Sequence, residues 1–230
     1  MIVEVHKKIG ESPNELIENF KRERGITEKV AFAGRLDPMA SGKMILLTGV
    51  DCKKISEFCG YKKLYSFKCI KGIKTDTGDI LGIPRISKTN NNIQNLKPDR
   101  FFQEYPVYSS KCVDGKPLWK WAREDKLKDI KIPGKMVEIF NVINNDTITI
   151  SSDELFIEIK DRINQLSEKN RDNFRADIIL NTWKQLLESI DNNIEIESYI
   201  LFVSSGTYIR GICGSLNGTA MDIHRMEIVA

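Results

Sequence analysis

Alternating apolar residues in several short segments constrain the fold of this chain more than any other feature of its sequence. In LYSFKCIKG, Tyr65, Phe67 and Cys69 recur at every second position and so share one face of a predicted strand. Residues 2–6 and 44–48, and the segments SYILFVSS and DIHRMEIV, are typical of further strands. Helical periodicity is confined to a few segments, so the sequence predicts a strand-rich chain with few helices.

Asparagine runs mark two predicted connections. KMVEIF and TITI flank Asn144, Asn145 and Asp146, a pattern typical of a β-hairpin. The asparagine-rich run at residues 90–92 predicts a mobile loop.

Capping signals predict two helices in the N-terminal part of the chain. Ser12, Pro13 and Glu15 form a helix-start pattern, with Ser as N-cap and Glu three residues later, and Gly25 is a plausible stop. Asp51 is predicted to cap a second helix that ends at Gly60. The apolar positions of that second helix are Cys52, Ile55, Phe58 and Cys59.

Residues 153–191 differ in kind from the rest of the chain. Apolar side chains recur there at helical spacing, which predicts a helical hairpin inserted between two strands, and the apolar stripe predicts ordinary packing. The apolar residues in question are Phe156, Ile159, Ile163, Leu166, Ile179, Trp183, Leu186 and Ile190. Residues 153–197 carry 11 acidic and 6 basic side chains. This acidic excess argues against contact with phosphates and favours a structural or protein-facing role.

The remaining charge is basic and is concentrated in one segment. Between Lys53 and Lys74 there are seven lysines and one carboxylate, Glu57, although the net charge of the whole chain is only +3. A basic segment usually forms a solvated face, and a polyanion partner is favoured only when aromatic residues and a catalytic motif accompany it. The lysines concerned are Lys53, Lys54, Lys62, Lys63, Lys68, Lys71 and Lys74.

Cysteine and histidine usage argues against a metal centre. The five cysteines are scattered without a CxxC pair, which is typical of reduced thiols in an intracellular protein, and only two histidines accompany them. The N-terminus lacks the apolar segment of a secretory signal, and no run of residues is apolar enough to cross a membrane. We therefore expect an intracellular protein, with the compartment left open, that needs no metal and no membrane.

The segment GRLDPMASG places Asp37 in a glycine-bearing loop. Taken alone, an Asp before a Pro is a turn residue far more often than a catalyst. This segment nevertheless resembles the aspartate signature of pseudouridine synthases, and the surrounding blocks resemble the TruB family of that class. The matching blocks, in chain order, begin with Lys7, Gly10 and Ser12 and continue with GRLDPMASG, GIKTDTGDILG, QEYPVYSS with GKPLWKWAR, VSSGTYIRGIC and the final IHR. Other pseudouridine synthase families share GRLD but lack GTYIR and the TDT block.

The resemblance implies three catalytic residues. Asp37 would start the isomerisation of uridine, either by attacking C1′ or by supporting a glycal route, and the sequence does not decide between these. Arg210 of GTYIR matches the family's arginine that pairs with this aspartate, which compensates for the cost of a carboxylate in a dry pocket. Tyr65 matches the active-site tyrosine that stacks on the base and helps to remove the C5 proton. A core tyrosine is an equally good explanation of its alternation with Phe67 and Cys69.

The resemblance also implies RNA contacts. Tyr208 and Ile223 match residues that contact the target uridine, with core packing as the alternative for Ile223. Phe32 stands where the family has a histidine that holds the flipped RNA loop; it can stack on a base but cannot form the same hydrogen bond. Further residues expected to contact the RNA are Lys7, Arg35, Lys62, Lys63 and Lys111, the last of these displaced by one position because Cys112 occupies the family's lysine position. Tyr105 replaces a proline of the same block.

The fold implied is α+β, with the pseudouridine synthase architecture of a mixed, mostly antiparallel sheet flanked by helices. Residues 1–150 and 192–230 would form the catalytic domain and residues 151–191 a helical insertion. The chain stops at Ala230 directly after the last catalytic-domain strand, so we expect it to lack the RNA-binding PUA domain that often follows. The reaction requires no cofactor, because the uracil base is both leaving group and returning nucleophile. A monomer is favoured, with the oligomeric state left open.

The expected partner is a structured RNA, by resemblance the T-arm hairpin of tRNA with uridine 55 as target. The uridine would leave its stack to reach Asp37, and flipping costs a few kcal/mol that stacking and backbone contacts recover. Two alternatives stay open. One is an RNA-binding or RNA-folding factor with little catalysis, and the other is the catalytic subunit of a guide-RNA complex.

Overall fold

A computed structural model describes residues 1–88, 96–190 and 193–230, apart from the side chains of residues 144 and 145. Its strands are β1 (Ile2–Lys7), β2 (Val30–Ala33), β3 (Ala40–Thr48), β4 (Lys62–Lys71), β5 (Ile73–Thr75), β6 (Pro84–Ile86), β7 (Asp99–Glu104), β8 (Cys112–Val113), β9 (Lys116–Pro117), β10 (Gly134–Ile150), β11 (Ile194–Val203) and β12 (Gly218–Val229). Its helices are α1 (Pro13–Arg24), α2 (Ile55–Gly60), α3 (Leu118–Arg123), α4 (Ser152–Ile163), α5 (Glu168–Asn173), α6 (Ala176–Glu188) and α7 (Ile209–Ser215). The loop predicted around residues 90–92 lies outside the described residues.

The main sheet has the order β1-β3-β12-β4-β11-β10-β7, and β2 also pairs with β3. Its pairings are antiparallel except that β12 runs parallel to β3. β4 and β12 therefore lie in the middle of the sheet and are covered on both edges. The predicted face of β4 is confirmed, because Tyr65, Phe67 and Cys69 are all buried in one core cluster.

The start of α1 is the capping box that the sequence predicts. The Ser12 side chain accepts a hydrogen bond from the backbone N–H of Glu15, and the Glu15 carboxylate accepts one from the Ser12 N–H. Leu16 and Phe20 then pack into the core, and Gly25 ends the helix in the left-handed conformation.

Two local predictions are wrong. Asn144 and Asp146 do not flank a hairpin turn, because β10 continues through them with a register shift against β11. Pairing with β11 on both sides of the shift keeps the ladder bonds, so the chain accommodates the irregularity as a bulge. Asp51 does not cap a helix either. It lies in a 3₁₀ turn (Gly49–Lys54), and its carboxylate pairs with the N-terminal amine at 2.7 Å and with Lys54 at 2.9 Å.

Helices α4, α5 and α6 follow β10, and α4 and α6 contribute to a second core cluster. Leu155, Ile159, Ile179 and Trp183 are fully buried there. The Trp183 indole donates a hydrogen bond to the carbonyl of Ile80 at 3.0 Å, so its one polar atom is satisfied inside the core. The predicted helical character and apolar stripe of this segment are thus present, with three helices instead of two. Its status as an insertion into a 1–150 and 192–230 domain stays a prediction.

Gly10 packs against this helical segment and also forms a hydrogen bond with the loop that carries Asp37. Its φ is +79°, its N–H donates to the carbonyl of Pro38 at 2.9 Å, and a Cβ at this position would lie 2.2 Å from the carbonyl oxygen of Gln165. The contact is backbone against backbone, so neither side can rotate away. The connection between α4 and α5 is therefore packed directly behind the candidate site.

We expect Gly10→Ala to lower the free energy of unfolding by about 2–4 kcal/mol, since it combines positive-φ strain with a backbone clash. Gly25→Ala is the matched control, because Gly25 has φ +63° and, within the described ranges, no heavy atom lies within 4 Å of where its Cβ would be. That control should cost only about 1 kcal/mol. Urea unfolding of both variants measures the difference, and equal losses would contradict the packing described for Gly10.

No helix within the described ranges is long and apolar enough to cross a membrane.

Candidate active site

A cleft of about 750 Å³ opens beside the end of the sheet where β3, β4 and β12 meet. Asp37 lies in its wall, in the turn between β2 and β3 that is closed by a hydrogen bond from the Ala40 N–H to the Asp37 carbonyl at 3.0 Å. The Asp37 side chain is 29% exposed. Its carboxylate is therefore accessible from the cleft, although Leu36 and Met39 of the same turn are buried.

Arg210 holds the Asp37 carboxylate from α7. Its Nε donates to Asp37 Oδ2 at 2.7 Å, and its side chain is only 3% exposed. The remaining guanidinium nitrogens donate to the carbonyls of Thr77 at 2.6 Å and Tyr108 at 3.2 Å. Burial opposes the charge of Arg210, but the carboxylates of Asp37 and Asp79 outweigh it and raise the pKa of the guanidinium. The guanidinium is thus charged, and its hydrogen bonds to three different residues fix its orientation.

Asp79 is a buried second carboxylate of the same site, and the sequence alone gives it no role. Its Oδ2 lies 3.7 Å from Arg210 Nε, while Oδ1 accepts hydrogen bonds from the Thr77 hydroxyl at 2.8 Å and the Leu81 N–H at 3.0 Å. Burial raises the pKa of Asp79, and the nearby Asp37 charge adds to that effect. One guanidinium therefore lies between two carboxylates. In the described part of the chain no three His, Cys, Asp or Glu side chains converge as metal ligands would.

Tyr65 lies on β4 beside Arg225 of β12, its direct partner across the strands. Its hydroxyl accepts a hydrogen bond from Arg225 Nε at 2.9 Å, and both residues line the cleft. Arg225 also donates to the carbonyls of Gly34 and Arg35 at 3.1 and 2.8 Å, so one buried side chain links the tyrosine to the loop before Asp37. Arg225 belongs to the IHR block, and the motif alone assigns it no function.

Tyr208 and Ile223 complete the lining near Asp37. Gln103 fixes the backbone of Tyr208 through two hydrogen bonds, accepting from its N–H at 2.8 Å and donating to its carbonyl at 3.0 Å. Burial raises the pKa of the Tyr208 phenol, and the Asp37 charge raises it further. Ile223 is 6% exposed and belongs to the core as well as to the cleft wall.

The predicted RNA-contacting residues divide into two groups. Arg35 and Lys63 line the cleft. Lys63 is largely buried, its ammonium donates to the carbonyls of Cys59 and Tyr61, and burial lowers its pKa to about 8, so this ammonium is not free to bind a phosphate. The others lie outside the cleft lining. Phe32 is half-buried, and the Arg35 guanidinium lies 5.3 Å from the centre of its ring. The ammonium of Lys62 lies 4.5 Å from the centre of the Phe140 ring. The ammonium of Lys111 lies 5.2 Å from the centre of the Tyr105 ring.

The RNA contact predicted for Lys7 is wrong. Lys7 is fully buried, and its ammonium donates to the carbonyls of Lys8, Pro38 and Ala40 at 2.8, 3.3 and 2.6 Å. It therefore supports the Asp37 turn from behind. Burial lowers the pKa of Lys7 to about 8, although the carboxylates of Glu11, Asp37 and Glu15 oppose this.

The lowered pKa of Lys7 predicts a pH-dependent contribution to stability. Between pH about 8 and the unfolded pKa of about 10.4, the unfolded chain binds a proton that the folded chain does not, so the free energy of unfolding rises with pH in this window. We expect the stability difference between wild type and Lys7→Met to grow in favour of wild type by about 2 kcal/mol from pH 7.5 to 10. Urea unfolding at the two pH values measures it. Lys63 titrates in both proteins, so its contribution cancels in the stability difference. A stability difference that does not change with pH would contradict the lowered pKa of Lys7.

The fold has a counterpart among solved structures. The crystal structure of a Cbf5-Nop10-Gar1 complex contains a chain that superposes on 99% of this one with a TM-score of 0.53 at 12% sequence identity, over 48% of its own length. At this identity the likeness concerns the fold alone. It confirms the predicted α+β architecture with a mostly antiparallel sheet flanked by helices.

A family match covers most of the N-terminal part of the chain and part of its middle. The model of the TruB family pseudouridylate synthase N-terminal domain matches residues 21–162, more than half of the chain. The chain therefore belongs to the TruB family.

Curated relatives match over about half of the chain. tRNA pseudouridine synthase B of Caldicellulosiruptor saccharolyticus is 35% identical over 57% of this chain and 47% of its own length. tRNA pseudouridine synthase 4 of Saccharomyces cerevisiae is 32% identical over 50% of this chain and 30% of its own length. The chain thus spans about half or less of the length of these relatives.

Proposed function

We propose that this chain is an RNA pseudouridine synthase that isomerises one uridine of a structured RNA, with Asp37 as its catalytic carboxylate. The observation that carries the proposal is the Asp37–Arg210 ion pair, 2.7 Å long, in the wall of a cleft large enough for an unstacked nucleotide. Membership of the TruB family supports the reaction type. No cofactor is required, since the reaction detaches the uracil base and reattaches it through C5.

The residues around Asp37 have complementary tasks in this proposal. Asp37 supplies the negative charge that starts the reaction at the sugar, by attack on C1′ or by the glycal route. Arg210 keeps that charge paired and oriented, and the bound RNA would exclude water from the pocket. Tyr65, Tyr208 and Ile223 provide the aromatic and apolar surfaces against which a flipped uracil would stack, and the Tyr65 hydroxyl is available to assist proton removal from C5.

The substrate we propose is the T-arm hairpin of tRNA, with uridine 55 as the target. Two relatives named as tRNA pseudouridine synthases support a tRNA substrate. Arg35, an exposed residue of the cleft lining, supplies positive charge for a phosphate backbone. We propose that the chain acts alone, without protein partners.

Incubation of the purified chain with a bare T-arm hairpin carrying tritium at C5 of uridine tests the proposal. Isomerisation replaces the C5 hydrogen, so the wild type should release tritium in an amount approaching one equivalent per hairpin. A hairpin with cytidine at the target position is the matched control and should release only the background amount.

Two other outcomes of this experiment would favour the alternatives, an RNA-folding factor or the catalytic subunit of a guide-RNA complex. Binding of RNA without tritium release from any uridine of total cellular RNA would reject catalysis and leave an RNA-folding factor. Release only after a guide RNA or further proteins are added would reject stand-alone action.

A further inference from the structure

Helix α5 lines part of the cleft, although it lies outside the part of the chain that the family model matches. That match ends at residue 162, and α5 spans Glu168–Asn173. Lys169, Asn170 and Asn173 nevertheless line the same cleft as Asp37. Arg123 of α3 lines it as well, and Arg123 and Asn173 also line an adjoining cavity of about 460 Å³. We call Arg123, Lys169 and Asn173 the α5 rim.

Contacts with two neighbouring helices hold the α5 rim in position. Asn170 is 7% exposed and donates to the Glu15 carboxylate at 2.6 Å, and the Ser167 hydroxyl donates to the same carboxylate at 2.7 Å. Arg123 donates to the carbonyl of Asn173, and its guanidinium lies 5.2 Å from the Trp119 ring. The short helix is therefore anchored both to α1 and to α3.

The exposed charges of the cleft lining are mainly cationic. Arg35, Arg123 and Lys169 are exposed and line the cleft, and none of the three forms an ion pair with a carboxylate in the described ranges. Glu15 and Glu18 add two carboxylates to the same lining. Although burial opposes it, hydrogen bonds from Ser167, Ser12 and Asn170 lower the pKa of Glu15, so Glu15 is ionised.

The local charge of α5 differs from that of the whole helical segment. Residues 167–175 carry three basic and two acidic side chains, although residues 153–197 together are acidic. The acidic excess predicted a structural or protein-facing role for the whole segment. Within the cleft lining, however, the segment contributes Lys169 and Asn173, whose side chains can donate hydrogen bonds to an anion.

We propose that the α5 rim binds a backbone phosphate of the RNA, on the nucleotide next to the uridine that enters the cleft. The proposal rests on the proposed function, because it takes the RNA as the substrate of the Asp37 site. Arg123 is held against Trp119 and keeps guanidinium donors free for a phosphate oxygen, and Lys169 adds an exposed ammonium to the same cleft lining. An unstacked uridine leaves its flanking phosphates accessible at the rim of the pocket.

The test compares two charge reversals of equal net effect. Lys169→Glu changes the α5 rim, and Lys160→Glu changes an exposed lysine of α4 that lies outside the cleft lining. We expect Lys169→Glu to raise the Kd for a T-arm hairpin by about tenfold and to lower the slope of log Kd against log salt by about one, since one phosphate contact is lost. Lys160→Glu should change the Kd by less than about twofold.

Fluorescence anisotropy of a labelled hairpin, over a series of KCl concentrations, measures both quantities. Circular dichroism checks that both variants are folded, which is expected because both lysines are exposed. Equal Kd values and equal salt slopes for the two variants would overturn the α5 rim proposal. A wild type that binds the hairpin but releases no tritium would overturn the proposed function instead, while the Kd comparison would still decide the rim.

Discussion

Asp37→Asn is expected to lower the single-turnover rate of tritium release by at least about 10³-fold while RNA binding is retained. The amide has nearly the shape of the carboxylate, so the turn and its hydrogen bond to Ala40 can persist. It lacks the negative charge that either route to pseudouridine requires. Loss of rate without loss of affinity would place Asp37 in the chemical step.

Asp161→Asn is the matched control, because Asp161 is an exposed aspartate of α4 outside the cleft lining. It should react at the wild-type rate. A rate for Asp37→Asn within tenfold of wild type would contradict a catalytic carboxylate at this position, and the cleft would then be a binding site only.

Arg210→Ala is expected to reduce the same rate by about 10²–10³-fold, the usual effect of removing a preorganised charge from an active site. The change leaves Asp37 and the buried Asp79 without the counter-charge of Arg210, and it removes the donors to Thr77 and Tyr108. Breaking a buried pair by deleting one partner costs about 3–5 kcal/mol, so the free energy of unfolding must be measured alongside the rate.

If the alanine variant is unstable, Arg210→Lys tests whether Asp37 needs its ion pair with residue 210. An ammonium can restore one ion pair but not the planar set of donors, so we expect a rate between those of wild type and Arg210→Ala. Arg85→Ala, which removes an exposed arginine from β6, should have no effect. Near-normal turnover in folded Arg210→Ala would mean that Asp37 works without this partner.

Local structure and the buried face of β4 could be predicted because short-range patterns determine them. The capping box at Ser12 and Glu15 needs only neighbouring residues, and the alternation around Tyr65 depends on a period of two. The ion pair between Asp37 and Arg210 joins residues 173 positions apart, and only the resemblance to a family connected them.

The burial of Lys7 follows a periodicity that is visible in the sequence. Val3, Val5 and Lys7 lie on one face of β1, and the strand shows strict alternation of exposure over these positions. Extending that period by one step predicts an inward Lys7 and an outward Lys8. The motif resemblance indicated an RNA contact, whereas the periodicity of the strand indicates a structural lysine.

Other features depend on tertiary contacts that no local pattern contains. The segment around Asn144 has hairpin chemistry, but pairing with β11 along both of its sides overrides it. Asp79 lies in a turn-rich block, and its position 3.7 Å from Arg210 follows from how that block packs against α7. Gly78 permits this packing, since a Cβ there would lie 3.2 Å from the Cβ of Arg210.

The proposed function depends on one step, the conversion of a uridine into pseudouridine by the carboxylate of Asp37 paired with Arg210. Mapping pseudouridine at nucleotide resolution, in a T-arm hairpin and in total RNA treated with purified wild type or Asp37→Asn, tests it most directly. We expect pseudouridine at one loop position with the wild type and at no position with the variant. Absence of new pseudouridine with the wild type, or the same sites modified by both proteins, would contradict it.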